Sequence, residues 1–108
     1  MDQSLVIIFT TIDTLDNAKN IARQAVEEKR AFCVNVIPNG LSFYQWEGVI
    51  HESNECFVLF KTSIERQGDL KEWLVKNHPY TTPIVIQSEV LVNKSYLQSM
   101  LSEMRNIS

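Results

Sequence analysis

The sequence predicts an α+β fold in which a four-stranded antiparallel sheet carries two helices on one face, with a further helix at the C-terminus. Runs rich in β-branched residues alternate with runs whose apolar residues recur at helical spacing. The order of these runs is β-α-β-β-α-β followed by a helix. The chain has 108 residues, of which 44% are hydrophobic, so we expect a single domain over residues 1–108.

The first strand and the first helix are predicted from a sharp change of pattern near Asp13. Ser4–Thr11 is a continuous run rich in β-branched residues, which is typical of a strand covered on both faces. The polar residues from Asp13 to Asn17 supply turn and N-cap side chains. The helix is expected to end near Lys29, because basic side chains suit a helix C-terminus. Its apolar face comprises Ala18, Ile21, Ala22, Ala25 and Val26.

A long extended segment follows, from Ala31 to Ile50. Pro38-Asn39-Gly40 interrupts it, and we interpret this interruption as a bend or bulge, because proline cannot donate to a sheet ladder and glycine tolerates positive φ. The polar run His51–Asn54 predicts a hairpin turn, and Glu55–Thr62 predicts the returning strand.

The remaining elements complete the predicted order. Thr62–Glu65 has the spacing of a capping box ahead of a second helix, which is expected to stop at His78-Pro79. Pro83–Val90 predicts the last strand, and Asn93 is expected to cap the final helix. The whole order is that of a ferredoxin-like βαββαβ sandwich with an extended β-hairpin and an added C-terminal helix.

The extended segment is too long for the body of so small a domain. A compact domain of this length has a radius of gyration of roughly 13 Å, whereas residues 31–50 would run about 65 Å if straight. Part of the hairpin must therefore project, and exposed apolar strands are hazardous unless another chain covers them. We expect a closed homo-oligomer. The projecting part carries Leu41, Phe43, Tyr44, Trp46 and Ile50.

Charge and cysteine usage exclude several classes of partner. The net charge is -3 and the basic residues are scattered, so neither nucleic acid nor an anionic membrane surface is an expected partner. The N-terminal apolar run Leu5–Phe9 is too short for a signal-peptide core or a membrane span, which predicts a cytoplasmic protein without membrane insertion. Cys33 and Cys56 lack CxxC spacing and are expected to be free thiols in the core.

Five segments, taken in order, carry a resemblance to a known family. They are Ala31-Phe-Cys-Val-Asn-Val-Ile-Pro38, Ser42-Phe-Tyr-Gln-Trp-Glu-Gly48, Lys61-Thr62, His78-Pro79-Tyr80 and Tyr96-Leu97. Together they resemble the CutA divalent-cation tolerance proteins, over a stretch from Leu5 to about Met104. The resemblance implies a ferredoxin-like protomer in a cytoplasmic homotrimer that responds to metal ions, with copper the metal most often associated. The chain departs from the family pattern at Thr81, where a glutamate would follow Tyr80.

Metal binding is the first functional hypothesis. Cu(II) or another divalent cation would favour imidazole nitrogen with thiolate or carboxylate ligands, and Cys33 and His78 are the preferred pair. No candidate lies at a chelating spacing from another, so any site must be assembled by the fold or between subunits. His78 is equally well interpreted as a helix cap and hydrogen-bond donor. The further candidates are His51, which we interpret as a solvated turn residue, Asp13 and Glu47.

An alternative is a PII-like trimer that binds small anionic ligands in clefts between subunits and signals to a partner protein. Lys61 shares its strand face with Phe57 and Leu59, and a lysine on an apolar face needs a carboxylate or a ligand. A salt bridge from Lys61 to Glu47 or to another carboxylate would satisfy it without a ligand. The residues that could line such a cleft are Tyr44, Trp46, Glu47, Lys61 and Tyr80.

The trimer could also serve as a platform for an unidentified protein partner. Enzymatic activity is not expected, because the sequence shows no nucleophile elbow, phosphate-binding loop or paired-carboxylate spacing.

Overall fold

The computed structural model describes residues 2–105 and, within them, the side chains of residues 3–105. All three strand pairs are antiparallel and the strand order is β2-β3-β1-β4, so the predicted α+β, ferredoxin-like arrangement is confirmed. The elements, in chain order, are β1 (Asp2–Ile12), α1 (Leu15–Glu27), β2 (Cys33–Trp46), β3 (Val49–Thr62), α2 (Gln67–Asn77), β4 (Ile86–Asn93) and α3 (Lys94–Arg105).

One face of the sheet holds the main core. Side chains alternate along a strand, so every second residue of β1 and β3 points towards α1 and α2. Val6 and Phe60 are fully buried there, against Leu70 and Leu74 of α2 and Ala25 of α1. The two helices therefore cover this face, as the sequence predicts.

The opposite face is covered only at one end. There α3 packs Leu97 and Met104 against Leu5 and Phe32. The rest, which we call the open face, has Glu55 and Lys61 at its two ends on β3. Between these charged ends lie Phe9, Ile37, Phe57, Leu59 and Ile86.

The β2–β3 hairpin has the longest strands of the sheet. Each strand has 14 residues, and a register shift between Ile37 and Gly40 confirms the predicted bulge. The molecule measures 47 × 30 × 23 Å with a radius of gyration of 15.0 Å, above the roughly 13 Å typical of this length. Residues 40–55, which we call the projecting hairpin, account for this elongation.

The predicted hairpin turn at His51–Asn54 is wrong. These residues lie within β3, opposite Leu41–Tyr44 of β2. The chain reverses at Glu47-Gly48, where φ is 50° and 77°, as in a two-residue type I′ turn. A two-residue turn needs only one glycine and a neighbour that tolerates positive φ. The polar run His51–Asn54 therefore wrongly indicated the position of the turn.

The helix starts differ in how well they were predicted. Thr14 caps α1 by accepting a hydrogen bond of 3.1 Å from the Asn17 amide, within the predicted capping segment. The predicted capping box at Thr62–Glu65 is wrong, because α2 begins at Gln67 and has no side-chain cap. The Thr62 hydroxyl instead donates to the Arg30 carbonyl at 2.7 Å, at the end of β3. No helix within residues 2–105 has the length and apolar character needed to cross a membrane.

Candidate functional site

His78 directly follows α2, and its ring links that helix end to the end of β1. The Tyr80 amide donates to Nδ1 at 3.0 Å, so Nδ1 carries no proton and the proton must reside on Nε2. Nε2 then donates to the Thr11 carbonyl at 2.9 Å and lies 3.0 Å from Thr10 Oγ1. The Thr10 hydroxyl donates onward to the Ile84 carbonyl at 2.6 Å. Both ring nitrogens of His78 are thus engaged by groups of the same chain.

The surroundings of His78 favour its neutral form. Burial lowers the pKa of the imidazole, and this effect outweighs the opposing influence of the Thr11 carbonyl, Asp13 and Glu55. A metal ion could bind His78 only if the bond to the Tyr80 amide or the bond to the Thr11 carbonyl were broken. The geometry therefore matches the cap and donor interpretation of this residue.

A carboxylate lies beside His78 and Tyr80, but it is that of Glu55 and not of a glutamate at position 81. The Tyr80 hydroxyl donates to Glu55 Oε2 at 2.5 Å, which joins the loop after α2 to the projecting hairpin. Burial and the adjacent carboxylate raise the pKa of Tyr80. Burial also tends to raise the pKa of Glu55, but hydrogen bonds from Tyr80, Ser42 and Thr11 outweigh that effect and lower it.

Glu55 was missed as a site residue during sequence analysis, where it served only as the start of a strand. The signal that could have revealed it is the two-residue alternation along β3, which places Glu55 on the same face as Phe57, Leu59 and Lys61. A carboxylate on an apolar face needs partners for the same reason that a lysine does.

Lys61 is half-buried at the other end of the open face. It lies opposite Ile7 on β1 and Cys33 on β2, and its Nζ is 6.0 Å from the centroid of the Tyr96 ring. Among residues 3–105 the ion pairs are those of Arg30, so no carboxylate of this range lies within 4.0 Å of the Lys61 ammonium. The proposed bridge to Glu47 does not form within one chain, because the hairpin tip is roughly 45 Å away along β3.

A pocket of about 280 Å³ opens beside Lys61, between the sheet and the start of α3. Apolar side chains of β1 and β4 form most of its wall, and Tyr96 of α3 also lines it. We call this concavity the Lys61 pocket. Its lining residues include Leu5, Ile7, Lys61, Val90, Val92 and Tyr96.

One copy of the chain does not bring the preferred metal candidates together. Cys33 of β2 pairs with Lys61 of β3, which in turn pairs with Ile7 of β1. His78 contacts Thr11, which lies roughly 13 Å from Ile7 along β1. Within the described part of the chain, no group of three or more His, Cys, Asp and Glu side chains is arranged to hold a metal ion. The described residues of a single copy therefore do not fit a Cu(II) site.

The other candidate residues occupy separate places. The Asp13 carboxylate accepts hydrogen bonds from the Thr14 amide and the Asn17 side chain at the start of α1. The His51 ring stacks on Tyr44 within the hairpin, with ring centroids 5.4 Å apart, rather than lying in a turn. The ligand-cleft candidates Tyr44, Trp46 and Glu47 lie in the projecting hairpin, away from Lys61 at the base of β3.

Comparisons with known proteins agree with this geometry. The family model described as CutA1 divalent ion tolerance protein matches residues 6–103. The chain belongs to the CutA1 family. The divalent-cation tolerance protein CutA of Thermus thermophilus is 35% identical over 92 residues, which cover 84% of this chain and 89% of the relative.

Solved CutA structures share the fold over nearly the full chain. CutA from Synechococcus elongatus superposes with a TM-score of 0.89 at 30% identity, covering 96% of this chain and 93% of the other. CutA1 from Ehrlichia chaffeensis gives a TM-score of 0.88 at 27% identity, covering 95% and 96%. The long hairpin and the C-terminal helix are therefore part of a shared CutA1 architecture.

Proposed function

We propose that this CutA1 chain acts in divalent-cation tolerance as a homotrimer, in which neighbouring copies cover the projecting hairpin and the open face. The observation that carries the proposal is the apolar surface of the hairpin. Phe43, Trp46 and Ile50 are 62%, 65% and 74% exposed in the single chain. Phe43 and Ile50 lie on one face of the hairpin and Trp46 lies on the other. Large exposed apolar surfaces mark protein–protein interfaces.

The sheet edges favour a closed assembly. β2 and β4 form the two edges of the sheet, and an edge strand presents unpaired backbone groups to any other chain. A hairpin that packs against a different surface of the next copy makes a heterologous contact. Such contacts form a closed ring or an open filament, and a soluble assembly requires the ring. Three copies are the number that the resemblance to CutA proteins implies.

The copper hypothesis requires ligands from more than one copy. Cys33 supports such a site, because it lies half-buried on the side of the sheet that a neighbour would approach. The test is calorimetric titration of the assembled protein with Cu(II). Stoichiometric binding that Cys33→Ala weakens about tenfold or more supports a thiol site between copies. Equal affinity in wild type, Cys33→Ala and His78→Ala contradicts it.

The proposed role can be tested in cells that lack their own copy of this protein. Growth in elevated Cu(II) or another divalent cation is compared for wild type, the hairpin variant Phe43→Lys and the control Lys71→Gln, which alters an exposed residue of α2. We expect wild type and the control to restore growth and Phe43→Lys to fail, at equal protein levels. Full tolerance from a monomeric Phe43→Lys protein would contradict a role for the assembly.

We also infer a cytoplasmic location. Cys33 and Cys56 lie on opposite faces of the sheet as free thiols, which suits a reducing compartment. Cell fractionation against compartment markers tests this inference, and enrichment with a periplasmic marker would contradict it.

A second candidate function, binding of a small anionic ligand, is supported by a different observation. The Lys61 ammonium lies among apolar side chains without a carboxylate of residues 3–105 within 4.0 Å. A cation in such surroundings is stabilised by a counter-charge, which a ligand can supply. A thermal-shift screen of small anions tests this role, because a ligand at 100 times its dissociation constant adds about 2.7 kcal/mol of stability.

A further inference from the structure

We propose that the Lys61 pocket binds a small organic monocarboxylate, with its carboxylate at the Lys61 ammonium and its apolar body against the β1 and β4 side chains. This proposal deepens the small-anion role given above and rests on it.

The position of the ammonium determines the sign of the ligand charge. β-sheet pairing places Ile7 and Cys33 on either side of Lys61, and the fold brings the Tyr96 ring to 6.0 Å from Nζ. A cation near an aromatic face gains some stabilisation, but the ring carries no negative charge that could neutralise it. An anionic group placed at Nζ would supply the missing partner.

The composition of the pocket limits the ligand to a single negative charge. Lys61 is the one cationic residue among those that line it. A phosphate dianion is normally held by several donors, such as arginine forks or a row of backbone amides, which this pocket lacks among its described lining residues. The single positive charge of the Lys61 ammonium is neutralised by the single negative charge of one carboxylate.

The walls determine the rest of the ligand. Leu5, Ile7, Val90 and Val92 pack together beside Lys61, and a volume of about 280 Å³ suits a short alkyl or aryl group rather than a nucleotide. Tyr96 lies in the first turn of α3, so a ligand bound between its ring and the sheet would contact both α3 and the sheet.

The experiment compares hexanoate with hexanamide, which has nearly the same shape but no charge. Binding is measured by calorimetry and by thermal shift in wild type, in Lys61→Gln and in the matched control Lys71→Gln, whose lysine is exposed on α2. We expect wild type and Lys71→Gln to bind hexanoate at least about tenfold more tightly than hexanamide. Lys61→Gln is expected to lose this preference.

Several results would overturn the proposal. They are absence of hexanoate binding to wild type, equal binding of hexanoate and hexanamide, and an unchanged hexanoate preference in folded Lys61→Gln. If Lys61→Gln fails to fold by circular dichroism, Val90→Phe replaces it, because this change narrows the pocket and keeps the ammonium. Hexanoate affinity must then fall while acetate affinity is kept, and unchanged hexanoate affinity overturns the proposal.

A parallel screen with inorganic phosphate and nucleotides separates this proposal from the broader role. Lys61-dependent binding of phosphate or a nucleotide without binding of hexanoate overturns the monocarboxylate assignment and leaves the small-anion role standing. Absence of binding by every anion overturns both.

Discussion

At the scale of single residues, the His78 ring joins the end of β1 to the loop after α2. Its Nδ1 accepts from the Tyr80 amide, and its Nε2 donates to the Thr11 carbonyl. Both partners are backbone groups whose position is set by the fold. Tyr80 then extends the connection to Glu55 of the projecting hairpin. His78 therefore connects β1 to the base of the projecting hairpin through Tyr80. The presence of a histidine at this position does not by itself indicate metal binding.

Replacing His78 by alanine should lower the free energy of unfolding by about 1–3 kcal/mol, because two partly buried backbone groups lose their partners. Urea denaturation at a fixed protein concentration measures this change. Lys71→Ala on the exposed side of α2 is the control and should stay within about 0.5 kcal/mol of wild type. A His78→Ala protein as stable as the control would contradict the structural role.

The same residue should make stability depend on pH. The pKa of His78 is lowered in the folded state, mainly by burial, while the unfolded chain keeps the ordinary value of about 6.5. Between these two values the unfolded state binds more protons, so the free energy of unfolding falls as the pH decreases. The contribution is complete above the ordinary pKa and is lost as the pH falls through the folded pKa.

Urea midpoints measured from about pH 7.5 down to about pH 5 test this dependence. His78→Gln should flatten the decline, because glutamine does not titrate. Asp13, Glu55 and Tyr80 also face the ring, and all three are kept in the variant, so the comparison isolates the contribution of His78. An equally steep decline in His78→Gln would show that another group is responsible.

At the scale of secondary-structure elements, two glycines make opposite predictions. A Cβ at Gly40, beside the β2 bulge, would lie 2.6 Å from the Phe57 ring and 2.7 Å from the Glu55 carbonyl. Gly40→Ala should therefore destabilise the protein by about 1–3 kcal/mol. A Cβ at Gly68 in α2 meets open space, so Gly68→Ala should stabilise it by about 0.4–1 kcal/mol.

Thermal or urea unfolding of the two alanine variants measures both effects under identical conditions. The free energy of unfolding should fall in Gly40→Ala and rise in Gly68→Ala. Equal changes in the two variants would mean that the close packing of Phe57 on the bulge does not constrain the hairpin.

The elements themselves were largely predictable, because their signals are local. The apolar run of β1 and the periodicity of α1 identify both elements, and Thr14 lies within the predicted capping segment. The hairpin turn was not predictable from polarity, since Glu47 adopts positive φ without being glycine or asparagine. The start of α2 was missed because Thr62 ends a strand, where its hydroxyl bonds to Arg30.

The candidate site was less predictable, because its contacts span distant parts of the chain. Proximity of His78 to Thr11 depends on how α2 packs on the sheet, and the Tyr80–Glu55 contact depends on the register of β2 and β3. Sequence alternation correctly places Lys61 on an apolar face. It cannot show that Tyr96 approaches that lysine, since the path of α3 is a property of the fold.

At the scale of the whole molecule, the long hairpin sets both the shape and the proposed assembly. Its length made the projection predictable from chain dimensions alone, and the extent of 47 Å agrees with that expectation. The apolar residues Phe43 and Ile50 are more than 60% exposed in the single chain. Covering them removes apolar area from water at about 25 cal/mol per Å², which favours association.

Self-association should depend on these hairpin residues rather than on the core. Phe43→Lys and Ile50→Lys place charges where a neighbouring copy would pack, so both should weaken assembly while keeping the far-UV circular dichroism of the folded chain. Lys71→Gln on α2 is the control and should leave assembly unchanged.

Analytical ultracentrifugation of the wild-type protein at micromolar concentration tests whether the chain assembles into a trimer. We expect a single species of three times the chain mass of 12.5 kDa, which Phe43→Lys converts to smaller species. A wild-type protein that sediments as a folded monomer at this concentration would contradict it.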